Sequence, residues 1–383
     1  MILVLRALGV GDLATAVPAL RGLRAAFPEH TLTVAAPDWL TPLVELVGDV
    51  DNVLPTDGLD PVDRAGPAPY WAVNLHGRGP QSHRLLAAAG PERLCGFHCA
   101  EAGHTDGPRW RADEHEVRRW CRLLSWYGVD CDPDDLDLRR PAPRRVPVGV
   151  TVVHPGGKGT RRRWSAARFA TLARELTRAG HRVVVTGSPD EQALAERVAT
   201  GAGLPNTAVL AGRLTLVELA AVVGYARLVL STDTGVAHLA TAYRTPSVVL
   251  FGPVRPQLWG PPPDRPWHRA LHRSAAPSRT RAARAISSTS SAGSGRRPPA
   301  PAPAGRRSTG PGSTPGWRRS GWTRCWRRRT RSTGWGGTAV RLRRSDLSAP
   351  GYGRRRRGRG VVFLDTGGSR SGTGTRWPGS ANW

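Results

Sequence analysis

Met1-Ile2-Leu3-Val4-Leu5-Arg6-Ala7-Leu8-Gly9-Val10-Gly11-Asp12 decides the fold of this chain. Five consecutive apolar residues predict a strand buried on both faces, the habit of a parallel sheet. A glycine turn follows, and Leu13, Val17, Leu20, Leu23 and Phe27 then recur at helical spacing. Strand, glycine turn and helix in that order open a βα unit. Asp12 is predicted as the N-cap, because a short carboxylate can accept the orphan N–H groups of a first turn, and Pro18 should weaken the helix locally.

Outward from this unit the alternation continues. Thr31 to Ala36, Asn52 to Leu54 and Trp71 to Leu75 read as strands. Leu43 to Val47 and Ser82 to Ala89 read as helices, and Glu114 to Tyr127 as a longer helix closing a first domain over residues 1–145. Pro133 to Pro147, rich in Pro, Asp and Arg, suits a linker. The pattern restarts with strands at Val148 to Val153, Arg182 to Thr186, Leu228 to Leu230 and Ser247 to Phe251. Helices are expected at Ser165 to Ala179, Asp190 to Thr200, Thr215 to Gly224 and Val236 to Ala242. Residues 146–273 thus form a second Rossmann-like half. The expected class is α/β, with two halves of their own core facing a cleft at their strand ends.

Residues 274–383 are written in another composition. They hold 24 Arg against two acids, Asp346 and Asp365, whereas the preceding residues carry 32 Lys and Arg against 27 Asp and Glu. Most of the formal net charge of +27 therefore belongs to this low-complexity tail. Few aliphatic residues and strong self-repulsion predict disorder. Arg, Gly, Pro, Ala, Ser and Trp without periodicity also match GC-rich DNA translated out of frame. The competing reading is a polyanion-binding arm, with salt-dependent affinity for nucleic acid.

Cys95 and Cys99 lie near His98 and His104, but the spacing is not that of a CxxC site and no second ligand pair follows, so reduced thiols are expected. No stretch reads as a signal peptide or a bilayer span, and a cytoplasmic protein is expected.

Four turns carry chemistry-bearing residues. Gly9-Val10-Gly11-Asp12 puts a carboxylate at a strand's carboxyl end, either as a helix cap or facing a ligand. His154-Pro155-Gly156-Gly157-Lys158-Gly159 leads through Arg161, Arg162 and Arg163 to Trp164. It reads as a solvated basic loop or as a diphosphate cradle, and it is no Walker A sequence. Gly187-Ser188-Pro189-Asp190-Glu191 offers a carboxylate to ribose hydroxyls or merely caps a helix. Ser231-Thr232-Asp233-Thr234-Gly235-Val236-Ala237-His238 aims helix N-terminal amides outward, a geometry that attracts phosphate.

Together with Arg162-Arg163-Trp164 and Phe251-Gly252-Pro253, these turns over residues 1–273 resemble glycosyltransferase family 9, the family of the lipopolysaccharide heptosyltransferases. The resemblance implies a GT-B fold and an inverting transfer of a sugar, with ADP-heptose as the model donor, to a glycan or lipid-linked acceptor. The nucleotide-sugar is a substrate, and neither cofactor nor metal is implied. Asp12 would be the general base. Gly156, Gly157, Lys158, Arg162, Asp233, Thr234, Gly235 and His238 would hold the donor, Asp233 through sugar hydroxyls and Thr234 and Gly235 through phosphate. Glu191 would face the nucleoside. A lipid-linked acceptor implies peripheral contact with the inner face of the membrane. The tail departs from the family, which supplies closing helices there, so a truncated relic or a nucleotide-sugar binding protein is the alternative.

Overall fold

The computed structural model describes residues 1–60, 66–157 and 164–272. The tail and the Lys158-to-Arg163 run lie outside the described residues. The first half is built from β1 (Ile2–Leu5), α1 (Val10–Ala26), β2 (Leu32–Ala36), α2 (Thr41–Val47), β3 (Asn52–Pro55), β4 (Trp71–Asn74), α3 (Gln81–Ala87), β5 (Arg93–Cys95) and α4 (Glu116–Trp126). Its five strands are parallel in the order β3-β2-β1-β4-β5. Every residue of β1 is buried, as its unbroken apolar run requires.

The second half contains β6 (Thr151–His154), α5 (Ala166–Arg178), β7 (Val183–Val185), α6 (Gln192–Ala202), α7 (Leu216–Gly224), β8 (Leu228–Thr232), α8 (Gly235–Ala242), β9 (Ser247–Phe251), α9 (Pro256–Trp259) and β10 (His268–His272). These strands are parallel too, in the order β10-β9-β8-β6-β7. In both sheets the order reverses direction beside the first strand of the half. That reversal opens a crevice at the strands' carboxyl ends, where ligands of open α/β sheets bind.

Local signals place the starts of α5 and α7. Ser165 accepts the Arg168 N–H at the start of α5 at 3.4 Å, and Thr215 accepts the Glu218 N–H at 3.2 Å, with Glu218 returning the bond to the Thr215 N–H at 2.8 Å. At α1 the expectation needs correction. Gly9, not Asp12, is the N-cap, and Asp12 sits three positions into the helix with its Oδ2 accepting the Gly9 N–H at 3.1 Å. The glycine adopts the extended cap geometry and the carboxylate reaches back to it, so the helix starts three residues before the position that a cap at Asp12 would give. Pro18 lies inside α1 without ending it.

The halves were expected to hold separate cores. Instead one apolar cluster runs from Ile2, Val4, Val17 and Leu20 through Leu43 and Val44 to Leu216, Val223, Val236 and Leu239. Helix α1 packs on α8, and α2 on α7. A smaller cluster around Phe169, Val185 and Val198 fills the space between α5, α6 and the second sheet.

Candidate active site

The two glycine turns that open α1 and α8 are pressed against each other. A Cβ on Gly235 would lie 2.7 Å from the Val10 Cβ, and one on Gly11 would lie 2.7 Å from the His238 Cδ2. Both positions admit only glycine at this separation. Asp12 and His238 are thereby brought to one place from chain positions more than 200 residues apart, each at the start of its helix. The two partly positive N-termini meet there, a setting that favours negative charge.

Asp12 is held from behind. Arg6, wholly buried at the exit of β1, donates from Nε to the Asp12 main-chain carbonyl at 2.9 Å and from one terminal nitrogen to Thr15 Oγ1 at 3.2 Å. Its other terminal nitrogen donates to the Leu75 carbonyl. The guanidinium stands 3.6 Å from Asp12 Oδ1 and 3.2 Å from Glu116 Oε1, and lies over the Trp120 ring at 4.7 Å. The Asp12 side chain keeps 30% of its surface exposed, so its free edge can meet a ligand.

Two imidazoles, His238 and His76, face this carboxylate, and a third, His115, acts on His238. Burial pushes His238 down to about 4, with Asp12 opposing that shift and His115 and Arg6 adding to it. His76, on the turn after β4, is also lowered by burial and by Arg6, and again Asp12 opposes. The His76 main-chain N–H bonds to Asn74 Oδ1 at 3.0 Å. His115 caps α4, its Nδ1 accepting the Val117 N–H at 3.3 Å, while its Nε2 bonds the Gly260 carbonyl at 3.0 Å. The last contact ties the first half to the loop after α9. His238 meets Trp259 edge-on at 5.8 Å between centroids.

The second half supplies the remaining turns, all at carboxyl ends of its strands. Gly156 and Gly157 follow β6. Thr232 Oγ1 donates to the Gly156 carbonyl at 2.6 Å, and a Cβ on Gly157 would lie 3.0 Å from that hydroxyl oxygen. Gly157 has φ +148, a conformation open to glycine. Thr234 is the N-cap of α8, and Asp233 is partly exposed beside it. Glu191 is buried. Its Oε1 accepts the Gly157 N–H at 2.8 Å and its Oε2 accepts the Ser188 N–H at 3.1 Å. The carboxylate thus ties the turn after β7 to the turn after β6, with His154 Nε2 at 4.0 Å. Burial lowers His154 and Glu191 opposes the shift.

Of the residues singled out in the sequence, Asp12, Gly235 and His238 form one contact group, and Gly156, Gly157, Glu191 and Thr234 form a second around Thr232. Lys158 and Arg162 lie outside the described residues. Arg6, Glu116, His76 and His115 were not singled out. An arginine closing an otherwise apolar strand was the available signal for Arg6. Nothing local marks the other three.

Two parallel sheets of this order, with glycine turns facing across a shared crevice, define the GT-B class of α/β protein. Residues 109–286 match the family model described as glycosyltransferase family 9 (heptosyltransferase). Lipopolysaccharide heptosyltransferase 3 of Escherichia coli is 34% identical over 124 residues, which are 32% of this chain and 35% of that relative. The matched stretch therefore spans about a third of that relative's length. Among solved structures, the family 9 glycosyl transferase of Veillonella parvula aligns with a TM-score of 0.60 at 20% identity, covering 76% of this chain and 91% of that one. The E. coli ADP-heptose lps heptosyltransferase II aligns at 0.56 and 21%, covering 70% and 89%. These structures share the fold.

Proposed function

We propose that this chain transfers a heptose-like sugar, with inversion, from a nucleoside diphosphate donor to a hydroxyl of a glycan or lipid-linked acceptor. The observation that carries the reading is the meeting of Asp12 with the N-terminus of α8 through the Gly11–His238 and Gly235–Val10 contacts. A base and an anion-attracting helix end then flank one reaction centre. Asp12 takes the acceptor proton as the acceptor oxygen bonds to the anomeric carbon. The bond from that carbon to the donor phosphate breaks on the opposite face, and the electron pair leaves with the nucleoside diphosphate. Thr234, Gly235, Gly156 and Gly157 receive the diphosphate, and Lys158 and Arg162 are assigned to neutralise its charge. Asp233 holds sugar hydroxyls, and His238 lines the donor side.

Adenine as the base is supported by the ADP-heptose in the name of the E. coli structural neighbour. Glu191 shapes the rim on which the nucleoside would lie. No helix among the described residues is long and apolar enough to cross a membrane. A lipid-linked acceptor would be met by peripheral contact at the inner membrane face.

The test compares the full chain with Asp12→Ala and Asp12→Asn, using ADP-heptose and a heptose-free lipopolysaccharide core as probes. Transfer should fall by about 10²–10⁴-fold, while ADP binding by calorimetry stays within a few-fold. Transfer at the unmodified rate by either variant would sink the base assignment. Donor binding without transfer by the unmodified chain would instead mark a nucleotide-sugar binding protein.

A further inference from the structure

We infer that Arg6 and Glu116 act as a pair of positioning residues for Asp12, Arg6 fixing the first turn of α1 and Glu116 offsetting the guanidinium charge beside the carboxylate. The inference rests on the proposed role of Asp12 as base.

The geometry separates the two tasks. Arg6 spends Nε on the Asp12 main-chain carbonyl and one terminal nitrogen on Thr15, one turn inside α1. Thr15 Oγ1 returns a bond to the Asp12 carbonyl at 2.9 Å. Its remaining terminal nitrogen reaches Leu75 at the end of β4. The cation therefore links the ends of β1 and β4 to the turn that carries Asp12, and at 3.6 Å it approaches the Asp12 carboxylate without occupying it.

A wholly buried guanidinium this close to a base would, alone, favour the ionised carboxylate and make it a weaker proton acceptor. Glu116 counters that. Its side chain is nearly as buried as that of Arg6, and its Oε1 takes the same guanidinium nitrogen at 3.2 Å. Trp120 Nε1 donates to Glu116 Oε1 at 3.1 Å and Arg119 pairs with Oε2, which fixes the carboxylate in place. Other charged or titratable groups facing Asp12 are His76 from the turn after β4 and His238 from α8, with His115 behind His238. Burial holds these three imidazoles toward the neutral form. Arg6 and Glu116, with Arg119 bonded to the second Glu116 oxygen, are thus the fixed charges gathered behind Asp12.

Glu116→Gln keeps the shape and removes the offsetting charge. In the full chain, the acid limb of the kcat/KM profile should move down by about one pH unit, and the plateau should fall several-fold because the base is weaker. Glu116→Asp keeps the charge one methylene further away, and its limb should lie between the two. Thermal unfolding and ADP binding, read alongside, show that both variants are folded. An acid limb unshifted in folded Glu116→Gln overturns the inference, as does a Glu116→Asp limb that coincides with that of Glu116→Gln. If Glu116→Gln does not fold, Glu116→Asp decides alone, an unshifted limb counting against. Asp12→Asn run in parallel tells the two ideas apart. Full activity in that variant defeats the base reading, whereas lost activity with an unshifted Glu116→Gln limb defeats only the pairing.

Discussion

At the scale of single residues, the site depends on side chains that are satisfied from within the protein and still leave one edge outward. Glu191 shows the cost of losing that. Its two oxygens accept the Gly157 and Ser188 N–H groups while buried, and a carboxamide could offer only one acceptor and would bring a donor against a donor. Glu191→Gln should lose about 1–3 kcal/mol in chemical unfolding and weaken ADP binding, because the turn after β6 is no longer tied to the turn after β7. Unchanged unfolding would show that the turns hold without it. Gly11 makes a second case. Ala at this position would drive a Cβ into the His238 ring, which is flanked by Trp259. A displacement approaching 1 Å can cost about 10²-fold in rate, so Gly11→Ala should lower kcat/KM far more than it lowers Tm. A large Tm loss with intact turnover per folded molecule would contradict this.

At the scale of elements, the α1–α8 contact is the joint that makes two glycine turns into one site. A Cβ on Gly235 would meet Val10 Cβ at 2.7 Å and Cγ1 at 2.9 Å, so Gly235→Ala should overpack the joint and cost about 1–3 kcal/mol. Val10→Ala in the same chain should recover part of that loss. The two changes should therefore be non-additive in a double-mutant cycle, and strict additivity would mean the helices part without strain. The elements that form this joint were legible in the sequence. Unbroken apolar strands followed by glycine turns identified β1, β6 and β8, and with them Asp12 and the Asp233-to-His238 turn. Strands β5 and β10 escaped. Arg-Leu-Cys at 93–95 and His-Arg-Ala-Leu-His at 268–272 are sheet edges with mostly exposed or part-exposed residues, so no apolar run announces them. Helix α9, only four residues long, was too short for a period. Arg6, Glu116, His76 and His115 escaped for a different reason. Their convergence is made by α4 packing on α1 and by the pairing of β1 with β4, which local sequence does not encode.

At the scale of the whole molecule, the shared core ties the halves into one body, and its stability should register the imidazoles buried where they meet and at the sheet edge. His238 and His268 are each pushed from the ordinary 6.5 down to about 4, burial being the first cause in both. His268 is further lowered by Arg265 and bonds Ser247 Oγ at 2.8 Å. In the unfolded chain both groups take up a proton near 6.5, while in the folded protein they resist until about 4. Between those values the unfolded state binds more protons, so acid favours unfolding. Their contribution is fully present above pH 6.5 and is lost as pH falls through 6 and 5 toward 4. The slope is up to about 1.4 kcal/mol per pH unit for each group, and solvent reaching the part-exposed His238 lowers its share. His268→Asn should therefore flatten the acid side of the stability curve between pH 6 and 4.5 by up to about that slope, while its effect at pH 8 reflects only the altered bond to Ser247. Equilibrium unfolding in urea across this range measures both quantities. A slope unchanged by His268→Asn would mean that the imidazole is already protonated in the folded protein, and that the edge strand β10 opens to solvent before the sheet does.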